Sequence, residues 1–182
     1  MTRSKKAALW LVLLVLLGVA GSWAYVASRT FADFESLLLC SQGKDALIPK
    51  SICQGYLFRF GAQAEDIAAL NRGTGVGWVM RAEDEDDQKK LVAFLLQSGV
   101  DINAIDQRSG ITALHTAVLE NDFAAVELLL SNGANPAVRD RDGKRTPLAF
   151  ALELENKPNQ PDRGAIIQRL RAGSQSGSPA NQ

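Results

Sequence analysis

The segment Leu91-Val92-Ala93-Phe94-Leu95-Leu96-Gln97-Ser98-Gly99 returns 34 residues later (Leu91 to Ala125) as Ala125-Val126-Glu127-Leu128-Leu129-Leu130-Ser131-Asn132-Gly133. Thr112-Ala113-Leu114-His115 returns at the same spacing as Thr146-Pro147-Leu148-Ala149. Two independent landmarks on one period mean that a single supersecondary unit has been copied, and that each copy buries its apolar face on its neighbour. The letters within the unit have physical tasks. Thr112 and Thr146 are helix N-caps whose hydroxyls accept from exposed backbone N–H groups, and Pro147 fits the first helical position. Val126, Leu129 and Leu130 form the apolar stripe of a second helix. Gly99 and Gly133 end such helices where a left-handed conformation is needed. Hairpin-like turns are predicted at Asp101–Gly110 and Asn135–Lys144.

Thr112-Ala113-Leu114-His115-Thr116-Ala117 resembles the TPLHxA start of an ankyrin repeat, and Leu128–Asn135 resembles its LLxxGAD end. Leu95–Ala104 is similar to the LLxxGADVNA segment, and Asp140–Leu148 to DxDGxTPL with one insertion. The resemblance covers residues 91–154 and implies an all-α fold, a short ankyrin-repeat solenoid of helix-turn-helix units with hairpin-like turns. It also implies that His115, the sole histidine, hydrogen-bonds backbone between repeats and is structural. Ala149 replaces it in the next repeat, marking that repeat as divergent or terminal.

The pattern fades at both ends. Ala64–Asn71 is expected as a helix, Gly73–Gly77 as a flexible connection, and Trp78–Arg81 as a degraded first helix. Phe31–Cys40 and Ser51–Phe60 are expected helices of an N-terminal cap. Beyond Leu154, two prolines in 156–162 make a loop, Ala165–Arg171 is a short helix with Ile166, Ile167 and Leu170 inward, and Ser174–Gln182 is a polar tail expected to be disordered. The domain reading is a basic tip at 1–6, a transmembrane signal anchor at 7–27, a helical cap region at 28–72, about three repeats at 73–172 and a disordered tail at 173–182.

The anchor rests on Ala7–Ala27, which holds no charged residue and has an unbroken aliphatic run at Leu11–Leu17. As a helix it spans about 30 Å, the thickness of a hydrocarbon core. Arg3, Lys5 and Lys6 precede it and only Arg29 lies close behind, so the positive-inside rule keeps the N-terminus cytoplasmic and exports the rest. The alternative is a secretory leader cleaved after Ala24, which would release a soluble periplasmic or secreted protein. The compact anchor points to a bacterial inner-membrane protein with one transmembrane helix and a periplasmic repeat domain, with a eukaryotic secretory-pathway origin as the alternative.

Cys40 and Cys53 fall in the exported part, where thiols oxidise readily, and are candidates for a structural disulfide. Two unpaired buried thiols are the alternative. Residues 31–182 carry 16 basic and 20 acidic groups, which excludes the basic signature of a nucleic-acid binder. No phosphate loop, GxSxG or HExxH motif is present, and no nearby histidine completes a metal site at the cysteines, so no catalytic residue, metal or cofactor is assigned. The acidic run Glu83–Asp87 reads as a solvated loop or as a contact surface for a basic partner.

Ankyrin repeats generally bind proteins through turn tips and first helices. Carried onto this chain, the resemblance implies a protein partner contacting Ile105, Asp106, Gln107 and Arg108 on one tip. Arg139, Arg141, Asp142 and Lys144 form the next tip, with Thr116, Glu120 and Asn121 on the adjoining helix. The functional expectation is an inhibitor or immunity protein that blocks a partner. The alternative is an envelope adaptor or scaffold in a stress response such as peroxide defence.

Overall fold

The structure is a computed structural model and describes residues 17–22, 24, 25, 28, 31, 33–44, 48–73, 75–80, 84–159 and 161–176. The basic tip 1–6 and residues 7–16, 23, 26 and 27 of the expected anchor lie outside these. Among the described residues no helix is long and apolar enough to cross a membrane. Within the same segment, residues 17–22, 24 and 25 are helical, and Leu17, Val19 and Tyr25 are 63%, 63% and 65% exposed.

The chain divides into two units, residues 1–61 and 62–182. In the first, α1 (Phe34–Ser41) starts at Asp33, whose carboxylate accepts from the Ser36 amide at 2.9 Å. Pro49 precedes α2 (Lys50–Phe60), which packs on α1. Two short helices bury little apolar surface, here Leu37, Leu38, Ile48 and Leu57. A disulfide joins Cys40 to Cys53 with Cα atoms 5.8 Å apart, and closes the loop between the helices. Ile52, Tyr56 and Phe60, spaced one turn apart on α2, are exposed, and the Tyr56 ring lies 4.6 Å from Phe31 and 4.5 Å from Phe60.

The second unit begins with α3 (Ala64–Arg72), a helix expected from the sequence. A 3-10 helix, Gly75–Trp78, follows. It corrects two expectations, because this stretch is neither a loose connection nor the start of a degraded α-helix. Glycines at 73, 75 and 77 disfavour an α-helix, yet Val76 and Val79 are buried and the turn packs on α3, α4 and α5. It stands where the first helix of a repeat would.

Next comes α4 (Glu85–Gln97), which also corrects the acidic loop. Asp84 caps it by accepting from the Asp87 amide at 2.9 Å, and Glu85, Asp86 and Asp87 form its first turn, where the helix dipole favours negative charge. Glu83 lies outside the described residues. Then α5 (Ala113–Leu119), α6 (Phe123–Ser131) and α7 (Pro147–Glu155) follow the repeat. Thr112 and Thr146 cap α5 and α7, accepting from the amides of His115 and Ala149. α5 packs on α6 within one copy and on α7 of the next, and these contacts bury Leu114, Ala117, Val118, Val126, Leu129 and Ala151. The last helix, α8 (Gly164–Ser176), buries Ile166, Ile167 and Leu170 against α6 and α7. It runs past Ser174, so residues 174–176 are helical where a disordered tail was expected, and 177–182 lie outside the described residues.

Among the described residues the β structure consists of one isolated bridge, Ile105 to Thr112.

Candidate protein-interaction surface

Each projecting turn is built by the same backbone chemistry at the same offset. Gly99 (φ +99°) and Gly133 (φ +90°) take the left-handed region after α4 and α6, which favours glycine because it lacks a Cβ. Their amides donate to Leu96 and Leu130 at 3.1 and 3.2 Å, and the next amides donate to Leu95 and Leu129 at 3.0 and 2.9 Å. These bonds close the helix ends and aim the chain outward. At the tips, the Asp106 amide donates to the Ile111 carbonyl (3.1 Å) and the Asp140 amide to the Arg145 carbonyl (2.9 Å).

The two tip aspartates turn inward. Asp106 is 9% exposed and accepts from the amides of Arg108 (3.2 Å) and Ser109 (3.0 Å). Asp140 is 5% exposed and accepts from the Lys144 and Arg145 amides (2.9 and 3.2 Å) and from Arg145 Nε (2.8 Å). The Arg145 guanidinium, joined by these amides and opposed by burial, holds the Asp140 carboxyl down at about 2. Burial raises Asp106, but the Ser109 hydroxyl, the two amides and the Arg108 charge outweigh it, and its value is lowered. Arg145 also reaches Glu153 at 3.3 Å and lies 4.9 Å from the Phe150 ring centre.

Adjacent tips are tied together. The Gln107 amide donates to the Arg72 carbonyl (3.0 Å), and the Arg141 amide to the Gly110 carbonyl (2.8 Å). Arg141 Nη2 donates to the Asp106 carbonyl at 3.0 Å. Asn71 and Asn103 each accept, at 2.8 Å, from the amide that starts the following turn, Asp101 and Asn135. His115 adds a link from inside. Its Nε2 donates to the Arg145 carbonyl at 3.0 Å, because a carbonyl can only accept, and this leaves Nδ1 to accept from the Thr112 hydroxyl at 2.9 Å. Burial lowers the histidine, against the opposing pull of the Arg145 carbonyl and Asp140.

This geometry sorts the residues assigned to partner binding. Gln107, Arg108, Glu120, Arg139, Arg141, Asp142 and Lys144 are exposed. Arg139 Nη1 donates to the Gly143 and Lys144 carbonyls (3.3 and 3.0 Å), and Lys144 lies 3.6 Å from Asp142. Ile105 is half-buried in the bridge to Thr112, and Thr116, also half-buried, donates to the Thr112 carbonyl at 3.3 Å. Two placements differ from the sequence reading. The Asp106 carboxylate supports its own turn instead of facing outward. Asn121, at φ +57°, makes the left-handed corner between α5 and α6 and donates to the Asp162 carbonyl at 3.2 Å.

The sequence reading passed over Asp140 and Arg145, although Asp106 and Asp140 stand at the repeat spacing and that recurrence was a signal of structural duty. Ser109, Gly110, Ile111, Asp140, Arg141, Asp142 and Arg145 line a groove of about 140 Å³ between the tips. A second groove of about 290 Å³ lies between α4 and α6, floored by Ala124 and Leu128. Among the described residues no group of three or more His, Cys, Asp or Glu side chains is placed to hold a metal ion.

Residues 79–159 match the family model described as ankyrin repeats (3 copies). Mouse (Mus musculus) ankyrin repeat and SOCS box protein 6 is 42% identical over 81 residues, 44% of this chain and 18% of that protein. The E3 ubiquitin-protein ligase KEG of Arabidopsis thaliana is 38% identical over 73 residues, 40% of this chain and 4% of its own. Rat (Rattus norvegicus) mitochondrial disaggregase is 35% identical over 88 residues, 47% of this chain and 13% of its own. The chain therefore spans less than a fifth of these curated relatives, and what it shares with them is the repeat segment. Residues 79–159 carry ankyrin repeats, a module for binding other proteins.

Proposed function

We propose that the ankyrin repeats of residues 79–159 dock a protein partner at a membrane surface and act as an inhibitor or immunity protein that blocks it. The observation that carries the docking role is the pair of turn tips, held rigid by internal bonds while Gln107, Arg108, Arg141 and Asp142 project outward. A rigid platform loses little conformational entropy on binding.

The membrane placement is an inference from residues 7–27. An uncharged stretch long enough to span, with Leu17, Val19 and Tyr25 exposed along it, calls for apolar surroundings. The Cys40–Cys53 disulfide accords with an oxidising compartment such as the bacterial periplasm. A second reading, an envelope adaptor or scaffold in a stress response such as peroxide defence, is favoured by one feature. The tip groove and the groove between α4 and α6 have no lining residue in common, and two partners at once is what a scaffold requires.

Affinity capture from solubilised membranes tests both. An inhibitor is expected to retain one stoichiometric partner, encoded beside it and toxic in its absence. Several resident proteins would favour the scaffold, and capture indifferent to substitutions at the tips would overturn the docking role. A membrane-impermeant thiol reagent applied to intact cells, against a cysteine substituted at Ser131, is expected to label it. Labelling only after lysis would reverse the orientation.

A further inference from the structure

The sequence around the tips carries a small excess of cations, and the structure sharpens it by separating the signs. Within 105–111 and 139–145 stand the cations Arg108, Arg139, Arg141, Lys144 and Arg145 and the anions Asp106, Asp140 and Asp142. Asp106 and Asp140 are buried in their own turns. Arg145 is matched by Asp140 and Glu153, and Lys144 by Asp142. Arg139 and Arg141 donate to carbonyl oxygens, which fix their position, and among the described residues no carboxylate pairs with either. Arg108 is exposed beside an aspartate that faces away from solvent. The two tips therefore present three exposed guanidinium groups, with Arg139 and Arg141 pre-positioned, and Arg141 lines the small polar groove beside Asp142.

From this we infer that the partner docks an acidic polypeptide segment on Arg108, Arg139 and Arg141, the opposite sign to the basic partner given as one of the two readings of the acidic run. The inference rests on the docking role proposed above. Guanidinium forks match carboxylates in a bidentate geometry, and a positive patch steers a negative one. A nucleic acid fits less well, since Asp142 interrupts the rim and residues 31–182 carry more acidic than basic groups.

The test is fluorescence anisotropy with the full chain in detergent and labelled peptides of equal length, one a Glu-Ser repeat and one a Lys-Ser repeat, with a single-stranded DNA oligonucleotide alongside. The Glu-Ser peptide is expected to bind best, with affinity falling as salt is raised. R108E, at a side chain free of any hydrogen bond that supports the turn, is expected to weaken it about tenfold. R139Q and R141Q are expected to weaken it less. K90E, at an exposed side chain of α4 that lines neither groove, is expected to leave it unchanged, and circular dichroism checks that each variant is folded. Equal binding of the two peptides, an unaffected R108E, an equal loss in K90E, or tighter binding of the DNA would each overturn the inference. If tip substitutions abolish capture of the partner while the Glu-Ser peptide fails to bind, the acidic assignment fails and the docking role stands.

Discussion

His115 Nε2 donates to the Arg145 carbonyl across 3.0 Å, joining the first helix of one repeat to the turn of the next. The bond forms between copies, so it exists only when they are stacked. His115→Ala removes it together with the Thr112 contact, leaves the Arg145 carbonyl with the Asp140 amide as its one remaining donor and opens a cavity. The expected cost is about 3 kcal/mol, read by urea unfolding of the full chain with helical content retained beforehand. An unchanged midpoint would show that the link is dispensable.

The same histidine sets a pH dependence. Its folded-state value lies below the ordinary 6.5, so the unfolded chain binds the proton more readily. Stability is therefore full above about 6.5 and declines as pH falls through that value. Urea midpoints between pH 8 and pH 5 are expected to show the decline in the native chain and to lose it in His115→Gln.

Asp140 acts in a lower window. With its carboxyl at about 2 in the fold against an ordinary 3.8, its contribution is whole above 3.8 and lost as pH drops towards 2. Asp140→Asn is expected to lower the melting temperature at pH 7 and to narrow the gap between native and variant on acidification. A gap that widened in acid would contradict the assignment.

Arg163 is 2% exposed and closes the open end of α5, with Nε to the Val118 carbonyl and Nη2 to the Leu119 carbonyl, both at 3.2 Å, and Nη1 to Pro161 at 3.1 Å. A cation here also meets the negative end of the helix dipole. Arg163→Ala is expected to cost about 2 kcal/mol. Arg163→Lys should recover only part of that, since a single ammonium lacks the fork that reaches several carbonyls. Hydrogen exchange at the end of α5 is the direct readout.

Reduction of Cys40–Cys53 is expected to destabilise residues 34–60 by about 3 kcal/mol, the loop-closure entropy that the bond removes from the unfolded chain, and the small core of that unit does little to offset it. Hydrogen exchange should quicken on α1 and α2 and stay unchanged at Val126 and Leu129. Equal protection of α1 and α2 before and after reduction would show that the helices hold without the bond.

The repeat was legible because its determinants are local. Thr112 and Thr146 cap helices a few residues away, and Gly99 and Gly133 meet a steric demand of their own backbone, so the letters and the structure agree residue for residue. The first repeat was misread where propensity and position conflict: Trp78 stands where a helix should begin, but three nearby glycines make a tight 3-10 turn instead. The acidic run was misread because its charges gain more at the start of α4 than in a loop.

The sequence by itself determined the period, the caps, the turns and the apolar stripe, all of which follow from neighbours within one helical turn or one repeat. Only the tertiary structure decided which charges face outward. Asp106 and Arg108 sit two positions apart, yet one is enclosed by its turn and the other is exposed, and Arg141 is held by a carbonyl 35 residues away. Burial depends on what the folded chain brings alongside, and for these tips that is the adjacent repeat.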